Sequence, residues 1–359
     1  MADPLSEARR IAEMVRFSAD RRTPTSPSAI DQAETIRSYF RQSGLRISSE
    51  VSPALWDILT RVCENLNIPP NAVEAFVFAS PEIQAECHSG GDQGCIIRFT
   101  SGLVNLLSPR EFAFVAGHEL GHFLLGHGRD TRQFSRGNLE QFMQKRYQEI
   151  SSDRMGLLGA QSLEAALRAM MKLTSGLGSE HLRFDVGRFV SQLGEPRVGT
   201  WLFDDTGTHP SMLVRCRALL WFSMADDVFR KVKAHEAPRL STLDVRVLAD
   251  LRRFVDGPAR RQIEEARDDV LLWLAAKGMQ GSHALSPTQE AALTGVIGDA
   301  TLTKLRTYLS SLPEDDIPDI LRMKLKEAEA RLRTLAPDSF ETIRGNIEIQ
   351  VGQLLEASG

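Results

Sequence analysis

Two histidines, His118 and His122, stand four positions apart with Glu119 between them. On a helix, positions i and i+4 share one face about one turn apart, so both imidazoles can reach a single metal ion. Glu119, next to the first histidine, is close enough to touch a water on that ion. The chemistry open to such a set is metal-assisted hydrolysis, with two nitrogen ligands, a carboxylate as general base and an open coordination position. The competing reading is a core helix with two satisfied histidines. It suits one histidine better than a pair bracketing a glutamate in an apolar stretch.

The elements that must hold these residues are legible. Ser108-Pro109-Arg110-Glu111 supplies an N-cap serine, a proline at the first helical position and a glutamate at the third, a capping box. The helix is expected to run to about His127. Phe112, Val115, Leu120, Phe123 and Leu124 spread around it, as in a central helix buried on more than one side. A polar, basic connector over 128–137 leads to a second helix over about 138–158. Glu149 and Asp153 lie on it at i and i+4, far enough along for a loop and two turns to return to the metal. Glu140 is the competing acid, but has no acid one turn further on. The plain alternative for the pair is a solvated acidic face. Downstream, Thr208-His209-Pro210-Ser211 opens a further helix that carries Arg215.

His-Glu-Leu-Gly-His, then Glu149-Ile150-Ser151-Ser152-Asp153-Arg154, then Thr208-His209-Pro210-Ser211 with Arg215 together resemble the gluzincin metallopeptidase family that includes HtpX and the CAAX prenyl proteases. The resemblance runs over about 70–222, under half the chain. It implies that His118, His122 and Glu149 ligate one Zn²⁺ and that Glu119 is the general base. It implies that Asp153 orients a ligand imidazole, and that His209, supported by Arg215, stabilises the oxyanion of the tetrahedral intermediate. The family often has a substrate-binding asparagine in the strand before the metal helix; Gln84 aligns there. The same strand holds Cys87, a candidate to cap the zinc in a latent form. The plainer reading has Cys87 and Cys95 facing each other across a hairpin.

The chain has 359 residues, 42% hydrophobic and 25% charged, long for one domain. Lys+Arg 43 against Asp+Glu 47 gives a net charge of −4 without a long run of one sign, which argues against nucleic acid as the main partner. The start of the chain has no apolar signal core, and no 18 consecutive apolar residues occur, so no membrane span and a soluble, cytoplasmic protein are expected. The four cysteines form no Cys-x-x-Cys pair.

Taken in order, helical spacing over 6–20 reads as a peripheral arm, followed by a breaker-rich 23–28 and helices over 30–43 and 52–66. Short β-compatible runs at 73–78, 83–87 and 94–99, the last two joined by a turn over 89–94, predict a small antiparallel sheet. An edge strand beside the metal could bind a peptide as an added strand. From 226 onward the chain reads as helical. Its apolar 270–276 helix and the capping box Ser286-Pro287-Thr288-Gln289 are faintly similar to tellurite-resistance TerB-type domains. Leu321, Leu325, Ala328, Leu332 and Leu335 fit a helix packed on its own domain, with a dimer contact as the minority reading.

The expected fold is therefore α+β: a zincin-like (gluzincin) catalytic domain at 51–225, an N-terminal helical extension at 1–50 and an all-helical C-terminal domain at 226–359. The expected function is a zinc-dependent endopeptidase acting on protein or peptide substrates. The rival is a catalytically silent zinc-binding regulatory or interaction protein, which would have no need of Glu119.

Overall fold

The computed structural model describes residues 3, 5–18, 20, 29–89, 94–127, 137–194, 207–229, 238–278 and 287–358. The 23–28 breaker segment, the centre of the 89–94 turn, nearly all of the basic connector and Ser286 lie outside them. The chain divides into two compact units, one of Met1–Gln133, Met143–Leu202 and Gly207–Val255, the other of Phe134–Phe142, Phe203–Thr206 and Asp256–Gly359.

The first unit begins with α1 (Ser6–Val15), α2 (Ala29–Ser43), β1 (Leu45–Arg46) and α3 (Pro53–Asn65), then β2 (Val73–Phe78), β3 (Ala85–Ser89) and β4 (Cys95–Thr100). It continues with α4 (Ser101–Leu106), α5 (Pro109–Leu125), α6 (Leu139–Ala160), α7 (Leu163–Ser175), α8 (Val186–Ser191), α9 (Met212–Phe222), α10 (Asp226–Phe229) and α11 (Leu240–Phe254). The sheet order is β1-β2-β4-β3.

The sheet is mixed rather than antiparallel, because β2 and β4 pair in parallel from Val73↔Cys95 to Phe78↔Thr100. β3 turns back along the outer edge, and β4 then inserts between β3 and β2. The apolar run Cys95-Ile96-Ile97 suits that interior place, since both faces of β4 are covered. Ile96 packs with Phe40 and Phe76, whereas Cys95, Ile97 and Phe99 join the main core.

The N-terminal helix is not a peripheral arm. Leu5, Ala8, Ala12 and Val15 are fully buried in the main core. Alanines at i and i+4 let α1 lie close, and its apolar stripe is satisfied there rather than in solvent. At the other end of this unit, Leu240 and Leu243 of α11 also lie in the main core, with Val228 and Phe229 of α10 packed against it, so α10 and α11 belong to the first unit.

The second unit is helical: α12 (Gly257–Gly278), α13 (Pro287–Ile297), α14 (Asp299–Ser310), α15 (Ile317–Leu335) and α16 (Phe340–Ser358). Leu325, Ala328 and Leu332 of α15 pack against Ala266, Val270 and Ala275 of α12 and Ile347 of α16, as the heptad-like spacing predicts for a helix on its own domain. Glu140 is used here. Its carboxylate accepts from the backbone N–H groups of Asp338 and Ser339 at 2.9 and 3.0 Å, just ahead of α16. Among the described residues, no helix is long and apolar enough to cross a membrane.

Candidate metal centre

Helix α5 forms where its caps dictate. Ser108 and Glu111 complete the capping box, Pro109 occupies the first turn, and Gly126, at φ 75°, ends the helix in the left-handed region that glycine enters without strain. Glu111 has a second partner, the Lys172 ammonium of α7 at 2.7 Å. Between the caps almost every side chain is buried, so the face that carries His118 and His122 is presented inside the unit.

Helix α6 crosses α5 at glycines. A Cβ on Gly121 would lie 2.8 Å from Met155 Cβ, and one on Gly117 would lie 3.1 Å from Gly156 Cα. This approach brings Glu149 to the histidines. Its Oε2 is 3.6 Å from His118 Nε2, its Oε1 is 3.4 Å from His122 Nε2, and the two Nε2 atoms are 3.0 Å apart. One donor atom from each of the three residues lies within 4.8 Å of the others.

The hydrogen bonds behind the donors fix which atoms carry protons. Asp153 Oδ1 accepts from His118 Nδ1 at 3.0 Å, which turns Nε2 toward Glu149. Arg215 donates through Nε to Asp153 Oδ2 at 2.8 Å and through Nη2 to Oδ1 at 2.6 Å, and its Nη1 lies 3.0 Å from Glu149 Oε2. Burial opposes charge on all of them, but mutual attraction outweighs it. Arg215 holds Asp153 below, and Glu149 well below, the usual carboxylate range, while Asp153 and Glu149 raise His118. Converging imidazole lone pairs and a buried ionised carboxylate are a donor set that a divalent cation satisfies, and two nitrogens with one oxygen suit zinc.

Arg215 is turned inward, because two buried carboxylates claim its guanidinium, and it shares the Glu149 carboxylate with His209. His209 is at the rim, its side chain 63% exposed, with Nε2 3.5 Å from Glu149 Oε1 and Nδ1 2.8 Å from Thr208 Oγ1. Glu119 is buried on the same helix as the two histidines. Gln84 immediately precedes β3, and its backbone is pinned by Thr100. The Gln84 N–H donates to Thr100 Oγ1 at 3.0 Å, and the Thr100 N–H donates to the Gln84 carbonyl at 3.0 Å. β3 is the sheet's edge strand and packs on α5.

Cys87 stands opposite Ile97 and Cys95 opposite Ser89, so the two cysteines are diagonal rather than facing neighbours. Contact with Cys95, burial and the nearby Glu119 carboxylate push the Cys87 thiol well above its ordinary range. Cys87 is not among the grouped metal donors.

Two residues of the site escaped the sequence reading. His127 lies behind His122, with the two Nδ1 atoms 3.0 Å apart, and His127 Nε2 is 2.8 Å from Asp20 Oδ2. Burial lowers the His127 pKa to about 4 despite Asp20, so the ring is neutral at neutral pH. A third histidine just beyond the motif was a usable signal for His127. Asp20 offered none, being 107 positions from His127.

Residues 50–144 match Peptidase family M48, a match that supports the M48 metallopeptidase family and, with it, a protease role. The matched segment contains His118, Glu119 and His122 and ends before Glu149. No curated protein and no solved structure matches the chain.

Proposed function

We propose that this protein is a zinc-dependent endopeptidase of the gluzincin type, with motifs like those of HtpX and the CAAX prenyl proteases. The observation that carries the proposal is the convergence of His118, His122 and Glu149, two imidazoles and a carboxylate from crossing helices, with the back of each imidazole hydrogen bonded. These three residues would hold one Zn²⁺ per chain. Zinc supplies Lewis acidity at the scissile carbonyl and acidifies water.

The chain's own residues supply the rest. Glu119 takes the proton of the attacking water and delivers it to the departing amine. Asp153, clamped by Arg215, keeps His118 in the tautomer and orientation that present Nε2. His209, at the exposed rim, donates to the developing oxyanion, a contribution of about 3 to 4 kcal/mol for donors of this kind. The free edge of β3 receives the substrate backbone as an added strand, with Gln84 holding it at one end. Because Asp20 and α1 pack within this unit, the N-terminal residues belong to the catalytic domain. The helical C-terminal unit is assigned a recruiting or regulatory role, including a partner or dimer contact.

The test is cleavage of an unfolded protein such as casein by wild type beside Glu119→Gln, with zinc content measured in both. The expected result is cleavage by wild type and a rate lower by about 10²- to 10⁴-fold in the zinc-loaded variant. Equal activity in both would remove Glu119 as the base. Silence of both, with zinc bound, would favour the rival, a zinc-binding regulatory protein.

A further inference from the structure

The left-handed turn at Gly126 folds the chain back, so that the His127 N–H donates to the His122 carbonyl at 2.9 Å. The His127 ring is thereby laid against that of His122, with centroids 5.1 Å apart and the planes at 70°. The facing Nδ1 atoms, 3.0 Å apart, can hold one proton between them. Which ring owns it is decided on the far side of His127.

There Asp20, with no exposed side-chain surface, places Oδ2 2.8 Å from His127 Nε2. Its Oδ1 accepts from Gln144 Nε2 at 3.0 Å, and Arg16 Nη1 lies 3.4 Å from Oδ2. With Gln144 and Arg16 both presenting N–H groups to Asp20, its oxygens stand as acceptors, and His127 Nε2 donates to Oδ2. The Nδ1 of that neutral ring is then a lone pair. Ser152 Oγ, 3.3 Å away, is free to donate to it as well. The shared proton therefore belongs to His122 Nδ1, and His122 Nε2 is the nitrogen that faces His118 and Glu149.

We infer that Asp20 and His127 are a positioning pair that sets the tautomer and orientation of His122, doing for the second histidine what Asp153 does for the first. The inference rests on the proposed metal centre. It gives the buried N-terminal helix a function. The Phe17 N–H donates to Ser151 Oγ of α6 at 3.0 Å, and the Asp20 N–H donates to the Phe17 carbonyl at 2.8 Å, so the docking of α1 fixes where Asp20 stands. The two imidazoles are thus aligned from different sources, one by α6 and α9, the other by a segment from the start of the chain.

The test uses the full chain and zinc alone, in wild type, His127→Phe and His127→Asn. The phenylalanine keeps the bulk and removes the acceptor. The asparagine returns an oxygen near the Nδ1 position. Zinc affinity is measured by competition with a chelator at a temperature where unfolding curves show all three folded, and nitrogen NMR reads the His122 tautomer in metal-free wild type. The expected results are a proton on His122 Nδ1, an affinity lower by about 10- to 100-fold in His127→Phe, and recovery of most of that loss in His127→Asn. A merely structural role would lower melting temperatures and leave the affinity of folded protein and the tautomer unchanged. Wild-type affinity in His127→Phe, or a His122 ring without a proton on Nδ1, would overturn the inference and leave the metal centre standing. Wild type that takes up no zinc would overturn the metal centre itself. Should His127→Phe not fold, the wild-type tautomer decides.

Discussion

At the scale of single residues, the centre is a problem of buried charge. Glu149 and Asp153 are both ionised and both enclosed, and Arg215 compensates them from α9. Removing one partner of such a group leaves uncompensated charge, which typically costs about 3–5 kcal/mol. Arg215→Met is accordingly expected to destabilise the metal-free protein by an amount of that order. A divalent cation replaces part of the lost positive charge and binds only the folded state, so zinc should raise the melting temperature more in the variant than in wild type. Thermal unfolding with and without zinc checks this. Equal zinc shifts in both proteins would mean that Arg215 and the metal do not act on the same carboxylates. The sequence placed Arg215 at the site but not its direction, because the spacing from His209 says nothing about which buried acids compete for a guanidinium.

At the scale of elements, the distance between α5 and α6 decides whether Glu149 reaches the histidines. Gly121 sits inside the His-Glu-x-x-His motif, one residue before His122, and faces Met155 Cβ and Ser152 Cα. An alanine there improves helix propensity by up to about 1 kcal/mol. Its methyl group would stand 2.8 Å from Met155 Cβ and 3.1 Å from the Ser152 backbone, contacts that force the helices apart. Overpacking of this kind costs about 1–3 kcal/mol. Gly121→Ala is therefore expected to lower stability and, by carrying Glu149 outward, to weaken zinc binding as well. Denaturant unfolding and chelator competition on the same samples measure the two effects. Higher stability with unchanged zinc affinity would show that the helix contact tolerates a methyl group. The N-terminal cap of α5 and the i, i+4 spacing of Glu149 and Asp153 on α6 were legible because they are local. Strand direction was not, since the parallel pairing of β2 and β4 depends on β3 taking the outer edge, and nothing in three short apolar runs orders them.

At the scale of the whole chain, residues from 20 to 215 converge on one small set of donors, and distance along the sequence decided what could be read. His118, Glu119 and His122 are a local pattern, and Glu149 and Asp153 form a second one within reach of a loop. Asp20 belongs to neither, and the helix that carries the chain to it looked like an appendage because the face it buries rests largely on small residues, Ala8 and Ala12. The catalytic role of these donors stands or falls on the metal. X-ray absorption at the zinc edge, on protein purified without chelators, reports the ligand atoms directly. It is expected to show only nitrogen and oxygen scatterers at about 2.0–2.2 Å with the outer-shell signature of two imidazoles. A sulfur scatterer at about 2.3 Å would bring Cys87 into the site and contradict the assignment of its ligands, and protein that retains no zinc would contradict the centre altogether.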